Sequence, residues 1–284
     1  MISISVVVTC YNEEEYIEAS VRSVLDQTRY DLIDKVVVVD DGSEDSSGKI
    51  VQRIERKNPK VGYVYQENQG LPGARNTGIE QCTSDFIALQ DGDDIWLEHK
   101  IERQVQVLEQ HPDVGLVYSD FYLFGGKERK RVFPNRYTYS DGDVLERFFL
   151  EGGPIMPSTA VINSECFSTV GMFAPELLRG QDTDMWLRIA KGYRLHHINE
   201  PLVDRRERSD SLGKSHRKKT RYLMRVTDKI ASSTPQLRSL VEKRKAMILT
   251  TRGRKLLQEN ERREAISLLK DAFLYNPFSL EVQT

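Results

Sequence analysis

Three carboxylates stand within four residues, at Asp91, Asp93 and Asp94, directly after the apolar stretch 86–89. Carboxylates this close repel one another unless a cation lies between them. A strand that ends in such a cluster is typical of a divalent metal site, because hard cations bind oxygen ligands and commonly bring phosphate with them. The cluster therefore predicts a metal site that holds a phosphorylated ligand.

Two further strand ends carry polar residues. The β-branched run 4–8 leads into a polar stretch at 9–12, and the apolar run 36–39 leads into Asp40-Asp41-Gly42-Ser43. Strands that are apolar on both sides are covered on both faces of a sheet. In such sheets ligands bind at the carboxyl ends of the strands. The three strand ends therefore predict one shared crevice.

Helix and strand patterns alternate through the first hundred residues. The predicted strands are 4–8, 36–39, 61–66 and 86–89, and the predicted helices are 13–25, capped by Asn12, 47–57 and 74–81. This rhythm predicts an α/β fold with a mostly parallel central sheet and helices on both faces. Further on, the pattern predicts helices at 95–110, 143–150 and 182–191 and strands at 114–118 and 159–162. From residue 214 onward it predicts only helices, near 216–231, 235–258 and 261–275.

Bulk composition excludes several classes of protein. The chain has 284 residues and a formal charge of −2, so it offers no global attraction for nucleic acid. No stretch approaches the roughly 18 apolar residues of a membrane-spanning helix, and the N-terminus lacks the features of a signal peptide. Three cysteines without paired spacing suit reduced thiols. We therefore expect a cytoplasmic protein, with any membrane contact peripheral and at the cytoplasmic face.

Five motifs occur in an order that one enzyme family shows. They are VVVTCYNE at 6–13, VDDGS at 39–43, GARNTG at 73–78, LQDGDD at 89–94 and QDTDMWLR at 181–188. Together they resemble the family 2 inverting glycosyltransferases, which have the GT-A fold, over about residues 3–212. Each motif is weak by itself, and the five in order name only a reaction class.

The resemblance implies a nucleotide-diphosphate sugar as donor, a UDP-sugar in the first place, and gives the motif residues roles. Asp41 would accept a hydrogen bond from the uracil ring, and Arg75 would reach the donor near its phosphates. Asp93 would coordinate Mn²⁺ or Mg²⁺, with Asp91 as its partner on the ribose or on a metal-bound water. The pocket for the nucleobase would be lined by Thr9, Tyr11, Asn12 and Glu13.

An inverting transfer needs one base, which removes the proton from the acceptor hydroxyl. Asp182 occupies the family's catalytic position at the start of a helix and is the predicted base. Asp184, two residues on, would point elsewhere and is predicted to be structural or to face the acceptor. Gln181 stands where the family more often has Glu, which leaves open how the basicity of Asp182 is set. Trp186 is predicted to pack in the core.

Other motif residues carry further expectations. Asp94 is predicted to cap the following helix, with support of the metal site from behind its direct ligands as the alternative. The glycines 70, 73 and 78 are predicted to free a loop that approaches the ligand. A flexible loop at 204–209 would supply positive charge to the leaving group from Arg205, Arg206 or Arg208. Within that loop, 204 and 207 are Asp and Glu where the family often shows Tyr and His, so a histidine metal ligand is not expected there.

We expect a GT-A domain at 1–213, with a nucleotide-binding half at 1–98 and an acceptor-side half at 99–213, followed by a helical extension at 214–284. Residues 252–277 resemble one tetratricopeptide-like helix pair, and a single unit cannot form a solenoid. The pair would pack on the main domain or on a second subunit. A basic run at 214–225 is predicted to be a solvated helix face, with an anionic acceptor or a membrane surface as alternative contacts.

The sequence thus predicts a metal-dependent inverting glycosyltransferase in polysaccharide, glycolipid or glycoconjugate synthesis. Its acceptor would be a saccharide, a lipid-linked saccharide or a protein, and peripheral membrane contact or a homodimer through the C-terminal helices stays open. One alternative is a non-catalytic nucleotide-sugar binder or scaffold. Another is a sugar nucleotidylyltransferase, which is disfavoured because an acidic segment, 13–15, follows the first strand where that class has a Gly-rich basic loop.

Overall fold

The computed structural model describes residues 2–125, 129–132, 144–151, 155–177, 179–207 and 216–276, without the side chains of 144 and 216–219. Its strands are β1 Ile4–Cys10, β2 Ile33–Asp40, β3 Val61–Tyr65, β4 Phe86–Asp91, β5 Ile95–Trp96, β6 Val114–Phe124, β7 Lys130–Val132, β8 Val161–Asn163 and β9 Arg194–Arg206. Its α-helices are α1 Ile17–Leu25, α2 Ser47–Glu55, α3 Gly70–Glu80, α4 Lys100–Gln110, α5 Val144–Glu151, α6 Glu165–Val170, α7 Gln181–Ala190, α8 His216–Ser233, α9 Val241–Gln258 and α10 Arg262–Tyr275.

One sheet joins the strands of the described ranges, in the order β3-β2-β1-β4-β8-β6-β9-β5, with β7 beside β6. β1 runs parallel to both β2 and β4, and β3 runs parallel to β2. Beyond β4 the directions mix, because β8 is antiparallel to both β4 and β6, whereas β6 and β9 are parallel. The predicted α/β fold is confirmed. The parallel part of its sheet carries the three polar strand ends.

Helices cover both faces of the parallel half. Val36 and Val38 of β2 join the larger core beneath α1, α2 and α4, whereas Val37 and Val39 join Ala74 of α3 on the other face. Alternate residues of one strand thus reach opposite cores, which explains why the strand is apolar throughout.

Close packing of α3 on the sheet depends on Gly78. A Cβ at this position would lie 2.3 Å from Cγ1 of Val7 and 3.2 Å from Cγ2 of Val39. The expectation that Gly73 and Gly78 loosen a loop is wrong, because both lie inside α3. Of the three glycines, only Gly70, at the first residue of the helix, has a positive φ, of 78°.

Strand β9 has no counterpart among the predicted elements. Its four buried residues, at 195, 197, 202 and 203, are separated by exposed and half-buried ones, and Pro201 interrupts the run, so the alternation that marks a strand is weak. Residues 204–206, expected in a flexible loop, are its last three residues. Helix α4 begins at Lys100, after the short strand β5, so the prediction that Asp94 caps this helix is wrong.

The chain divides into two compact units, one of Met1–Gly142 with Pro154–Ser209 and one of Asp143–Gly153 with Asp210–Thr284. The second unit includes α5, whereas the sequence places residues 143–150 in the acceptor-side half. The domain boundaries 1–213 and 214–284 stay predictions.

Helices α9 and α10 of the second unit form the predicted helix pair. They pack through small residues: a Cβ on Gly253 would lie 2.7 Å from Cγ of Leu269, and Ala265 and Ala272 are fully buried. Within the described ranges no helix has the length and apolar character needed to cross a membrane. Most of the basic run 214–225 lies outside the described side chains; Arg221 and Arg225 are exposed on α8.

Candidate active site

Three strand ends meet at one edge of the sheet. Thr9 of β1 pairs with Asp91 of β4, and Cys10 of β1 pairs with Asp40 of β2. Thr9 is buried, whereas the Tyr11 side chain is 48% exposed at this edge. The parallel register therefore brings the polar stretches that follow β1, β2 and β4 side by side, at the place where such sheets bind ligands.

Asp41, the first residue after β2, is fixed by two neutral donors. Its Oδ1 accepts hydrogen bonds from Nε2 of Gln66, at 2.6 Å, and from the backbone N of Gln69, at 2.9 Å. Among the described residues, nothing donates to Oδ2. One oxygen of an oriented and buried carboxylate is thus left to accept a donor such as a ring N–H.

The loops that follow β1 and β2 are hydrogen-bonded to each other. The backbone N of Asn12 donates to Oγ of Ser43 at 2.9 Å, and Oδ1 of Asn12 accepts from the backbone N of Glu44 at 2.9 Å. The backbone N of Glu13 donates to Oγ of Ser47 at 2.8 Å. Asn12 has a φ of 54°, a conformation that Asn adopts more readily than most residues. Asn12 therefore joins two loops, and the prediction that it caps α1 is wrong.

Arg75 of α3 joins two carboxylates that are far apart in sequence. Its Nη2 donates to Oδ1 of Asp91 at 2.8 Å, and its Nη1 donates to Oδ1 of Asp182 at 2.5 Å. Burial alone would lower the pKa of the Arg75 guanidinium, but the charges of Asp182 and Asp91 outweigh it and raise that pKa. The guanidinium therefore stays charged and holds the predicted base beside the end of β4. The predicted contact of Arg75 with donor phosphates stays a prediction.

Asp182 lies in the first turn of α7, which begins directly after Gly180, a residue with a φ of 77°. Asp184, on the same turn, is fully buried and pairs with Arg188 at 2.8 Å. Arg188 in turn donates to the backbone carbonyls of residues 170, 171 and 172. Of the two roles predicted for Asp184, structural or facing the acceptor, its burial and its ion pair with Arg188 confirm the structural one.

Trp186 anchors the inner face of α7. It is 1% exposed, its Nε1 donates to the carbonyl of Ile155 at 3.1 Å, and its ring meets Phe173 edge to face. The predicted core role of Trp186 is confirmed.

Asp94 links three segments of the site from a buried position. Its Oδ2 accepts a 2.7 Å hydrogen bond from Oγ of Ser158, and its Oδ1 accepts a 2.9 Å bond from the backbone N of Arg206. Oγ of Ser158 also accepts from the backbone N of Asp91 at 3.1 Å. Burial, with the charges of Asp91 and Asp93, raises the pKa of Asp94 well above its usual range, although the bonds from Ser158 and Arg206 act in the opposite sense.

Arg206 lies at the end of β9, beside the carboxylate cluster. Its Nε donates to the backbone carbonyl of Asp93 at 3.1 Å. Its guanidinium lies 4.3 Å from the ring centroid of Tyr16 and 4.4 Å from that of Phe124. Arg205, one residue earlier in β9, is half-buried, and Arg208 lies outside the described residues. A contact of Arg205 or Arg206 with the diphosphate stays a prediction, and Arg206 has the position nearest to Asp93.

The donor set at the end of β4 fits a hard cation shared with a phosphorylated ligand. Asp91 and Asp93 are both partly accessible, and their negative charge is strong enough to act on the pKa of Asp94. Among the described residues no group of three or more acidic, histidine or cysteine side chains forms a complete metal-binding set. Mg²⁺ characteristically takes one or two carboxylates and completes its shell with substrate phosphates and water. Two carboxylates at this edge are therefore a sufficient protein contribution.

Several site residues lie outside the five sequence motifs. Ser158 belongs to a short 3₁₀ helix, Pro157–Thr159, and Gln66 and Gln69 precede the third motif. No local pattern marks them, since each is recognised only by its partner across the fold. The charge of Arg206 is visible in the sequence, but its stacking on Tyr16 depends on a strand that the pattern does not show.

The family model of glycosyl transferase family 2 matches residues 5–168. Among curated proteins, an uncharacterized glycosyltransferase of Methanocaldococcus jannaschii, MJ1057, is 29% identical over 70% of this chain and 69% of its own length. A putative teichuronic acid biosynthesis glycosyltransferase of Bacillus subtilis, TuaG, is 28% identical over 80% of this chain and 89% of its own length.

Two solved structures share the fold. S. aureus TarS 1–349, in complex with UDP-GlcNAc, superposes with a TM-score of 0.70 at 18% identity and covers 96% of this chain and 81% of its own. A mannosyltransferase of Pyrobaculum calidifontis, in complex with GDP-Man and Mn²⁺, gives a TM-score of 0.68 at 20% identity and covers 95% of this chain and 74% of its own. These likenesses confirm the GT-A fold. The family match spans more than half of the chain, so the protein is a glycosyltransferase that belongs to glycosyl transferase family 2.

Proposed function

We propose that this glycosyltransferase moves a sugar from a UDP-sugar to an acceptor hydroxyl, with inversion at the anomeric carbon and with the help of a divalent metal ion. Asp182 is the base, Asp93 and Asp91 hold the metal, and Asp41 binds the nucleobase. The acceptor is a saccharide, free or lipid-linked, in the synthesis of a polysaccharide or glycoconjugate.

The proposal rests on the two ion pairs that Arg75 makes. One guanidinium, itself 1% exposed, contacts both Asp91 and Asp182. Asp91 is expected to act on the leaving group and Asp182 on the nucleophile. They are ninety-one positions apart in the sequence, yet the Arg75 side chain contacts both. A direct displacement needs the leaving group and the base on opposite sides of one carbon, within a few ångströms. The position of Arg75 is consistent with that requirement.

The proposed reaction needs an ionised carboxylate at Asp182. Its pairing with a permanently charged guanidinium favours that form and also orients the carboxylate. The acceptor O–H gives its proton to Asp182 while its oxygen forms a bond to the anomeric carbon. The bond from that carbon to the diphosphate oxygen breaks, and the electron pair leaves with the nucleoside diphosphate. Because attack and departure occur on opposite faces, the anomeric configuration inverts.

A divalent ion bound at this site supplies positive charge to the departing diphosphate. Asp93 and Asp91 would hold it. Arg206 lies against the same turn and would add a second positive charge near the leaving group. Support for a metal comes from the Pyrobaculum mannosyltransferase, whose structure is a complex with GDP-Man and Mn²⁺.

Uridine as the nucleoside is supported by the UDP-GlcNAc complex of TarS and by the geometry of Asp41, whose Oδ2 is left to accept a ring N–H. A saccharide acceptor is supported by the name of TuaG, which assigns it to teichuronic acid biosynthesis. The sugar itself is left to experiment: a panel of nucleotide sugars, tested by thermal shift with Mn²⁺, would identify the donor.

The decisive test is Asp182→Asn in the full chain. We expect transfer to fall by at least about a hundredfold, since a positioned base contributes 10²–10⁴ in rate, while donor affinity measured by calorimetry stays unchanged. Asp31→Asn, which alters a carboxylate that is 61% exposed and away from the site, serves as the matched control and should keep full activity.

Transfer by Asp182→Asn at the wild-type rate would refute the assignment of the base. A product that retains the anomeric configuration of the donor, as read by NMR, would refute inversion. A wild-type chain that binds UDP-sugars with Mn²⁺ but neither transfers nor hydrolyses any of them would favour the nucleotide-sugar binder.

A further inference from the structure

Helix α10 presents an exposed apolar face. The side chains of Ile266, Phe273 and Leu274 are 51%, 50% and 81% exposed. Together with Leu269 and Lys270 they line a surface groove on this helix. Single exposed apolar residues are ordinary, but a contiguous set of large ones on one helix marks a surface that contacts something else.

The charges that surround the centre of this face, at Ile266, are all basic. The helical neighbours of Ile266 are the residues three and four positions away. These are Arg262, Arg263, Leu269 and Lys270, so every one of them is basic or apolar. The acidic residues of the helix, at 264 and 271, lie two positions before and five positions after Ile266 and are not among its helical neighbours, and Asp271, three positions before Leu274, borders the far edge of the face.

The three cations of this face are available to a ligand. Arg262, Arg263 and Lys270 are all exposed. In the described part of the chain none of them pairs with a carboxylate, whereas Lys245 of α9 pairs with Asp228 at 2.7 Å. The face thus combines unpaired positive charge with exposed apolar side chains.

We propose that this face of α10 docks the protein on an anionic membrane surface. A helix with cations and large apolar side chains on one face lies in the membrane interface, with the apolar groups among the acyl chains and the cations at anionic headgroups. A second copy of the chain is the less suitable occupant, because pairing two such faces brings the same three cations together. The proposal does not depend on the proposed donor, metal or base.

The test is co-sedimentation of the full chain with vesicles of phosphatidylcholine, with and without phosphatidylglycerol. We expect binding only to the vesicles that contain phosphatidylglycerol, and weaker binding at high salt, because exposed charges are screened. Each cation near an anionic surface contributes about a fivefold change in affinity. The variant R262Q/R263Q/K270Q should therefore bind about a hundredfold more weakly.

Two further variants separate the apolar contribution from charge. Phe273→Ser leaves the charge unchanged and should lower vesicle binding about tenfold or more, since it removes a large apolar group from the interface. Lys243→Gln removes one exposed cation of α9 outside this face and should leave binding unchanged. Circular dichroism melting of each variant shows that the helices are still folded.

Three results would overturn the proposal. One is equal binding to vesicles with and without phosphatidylglycerol. Another is wild-type binding by both R262Q/R263Q/K270Q and Phe273→Ser. The third is absence of vesicle binding together with a dimer in sedimentation velocity that Phe273→Ser dissociates, which would assign the face to a second copy.

Discussion

The ends of β2 and β4 both carry adjacent aspartates, but the structure surrounds them with different partners. At the β2 end, the two side-chain carboxylates accept only from neutral donors within the described residues: Ser43 N and Tyr63 Oη donate to Asp40, and Gln66 and Gln69 donate to Asp41. At the β4 end Asp91 pairs with the cation Arg75, and Asp94 carries a pKa raised by burial and by its acidic neighbours.

The difference indicates a division of work. Neutral donors fix a carboxylate and leave its charge in place, which suits recognition of a fixed polar group such as a nucleobase edge. A cluster that needs cations to offset its charge suits a ligand that brings a cation with it. Two acidic motifs of nearly the same composition are therefore expected to respond differently to substitution.

The largest difference is expected from Asp93→Ala compared with Asp41→Ala. Removal of a direct ligand should weaken metal-dependent donor binding at least about a hundredfold, since loss of even an outer-shell partner costs 10–100-fold. Asp41→Ala should bind the donor more weakly but keep the dependence on metal. Calorimetry with and without Mn²⁺ measures both. Unchanged metal dependence in Asp93→Ala would remove the distinction between the two strand ends.

Arg75→Lys tests the cation that distinguishes the β4 end. Lysine keeps the charge but cannot contact Asp91 and Asp182 through a planar fork. We expect kcat to fall on the order of a hundredfold, because small displacements of a catalytic group have effects of that size. KM for the donor should change little. A rise in KM with kcat unchanged would show instead that Arg75 acts mainly on the bound donor.

Asp41→Asn tests the role of the β2 end in recognition of the nucleobase. Asparagine keeps the shape but replaces one carboxylate oxygen with an NH₂ donor, which cannot accept the ring N–H of uracil. We expect the preference for UDP over CDP to fall about tenfold, the value of one hydrogen bond to a charged group. Competition binding with the two nucleotides measures this ratio. A ratio equal to that of the wild type would show that another residue reads the base.

The parallel half of the fold was predictable because its strands are buried on both faces. Residues 36–39 are apolar without interruption, and each lies in one of the two cores. The same logic located the three polar strand ends, since parallel strands align their carboxyl ends. Strand β9 was not predictable, because it is partly exposed and contains Pro201.

Partners across the fold were not predictable either. Asp94 has the sequence context of a helix cap, and only the return of β9 brings the backbone N of Arg206 to its Oδ1. In the same way, the charge of Arg75 suggests phosphate as a partner, but in the structure its buried guanidinium pairs with Asp91 and Asp182. The types of these residues were informative, whereas their partners depend on elements that are distant in sequence.

The smallest effects are expected from a matched pair of hydroxyl deletions, Ser158→Ala at the β4 end and Tyr63→Phe at the β2 end. Each removes the donor to one buried carboxylate, so each should lower the free energy of unfolding by about 1–3 kcal/mol, as measured by urea denaturation.

The effects of the two substitutions on the rate of sugar transfer should differ. Oγ of Ser158 also accepts from the backbone N of Asp91, so its loss should loosen the turn that carries Asp91 and Asp93 and lower kcat several-fold. Within the described residues, the Tyr63 hydroxyl donates a hydrogen bond to Asp40 alone. Its loss should leave kcat within about twofold, since it removes a support and not a group next to the reacting atoms. If Tyr63→Phe lowered kcat as much as Ser158→Ala at equal stability, the two strand ends would act as one rigid unit.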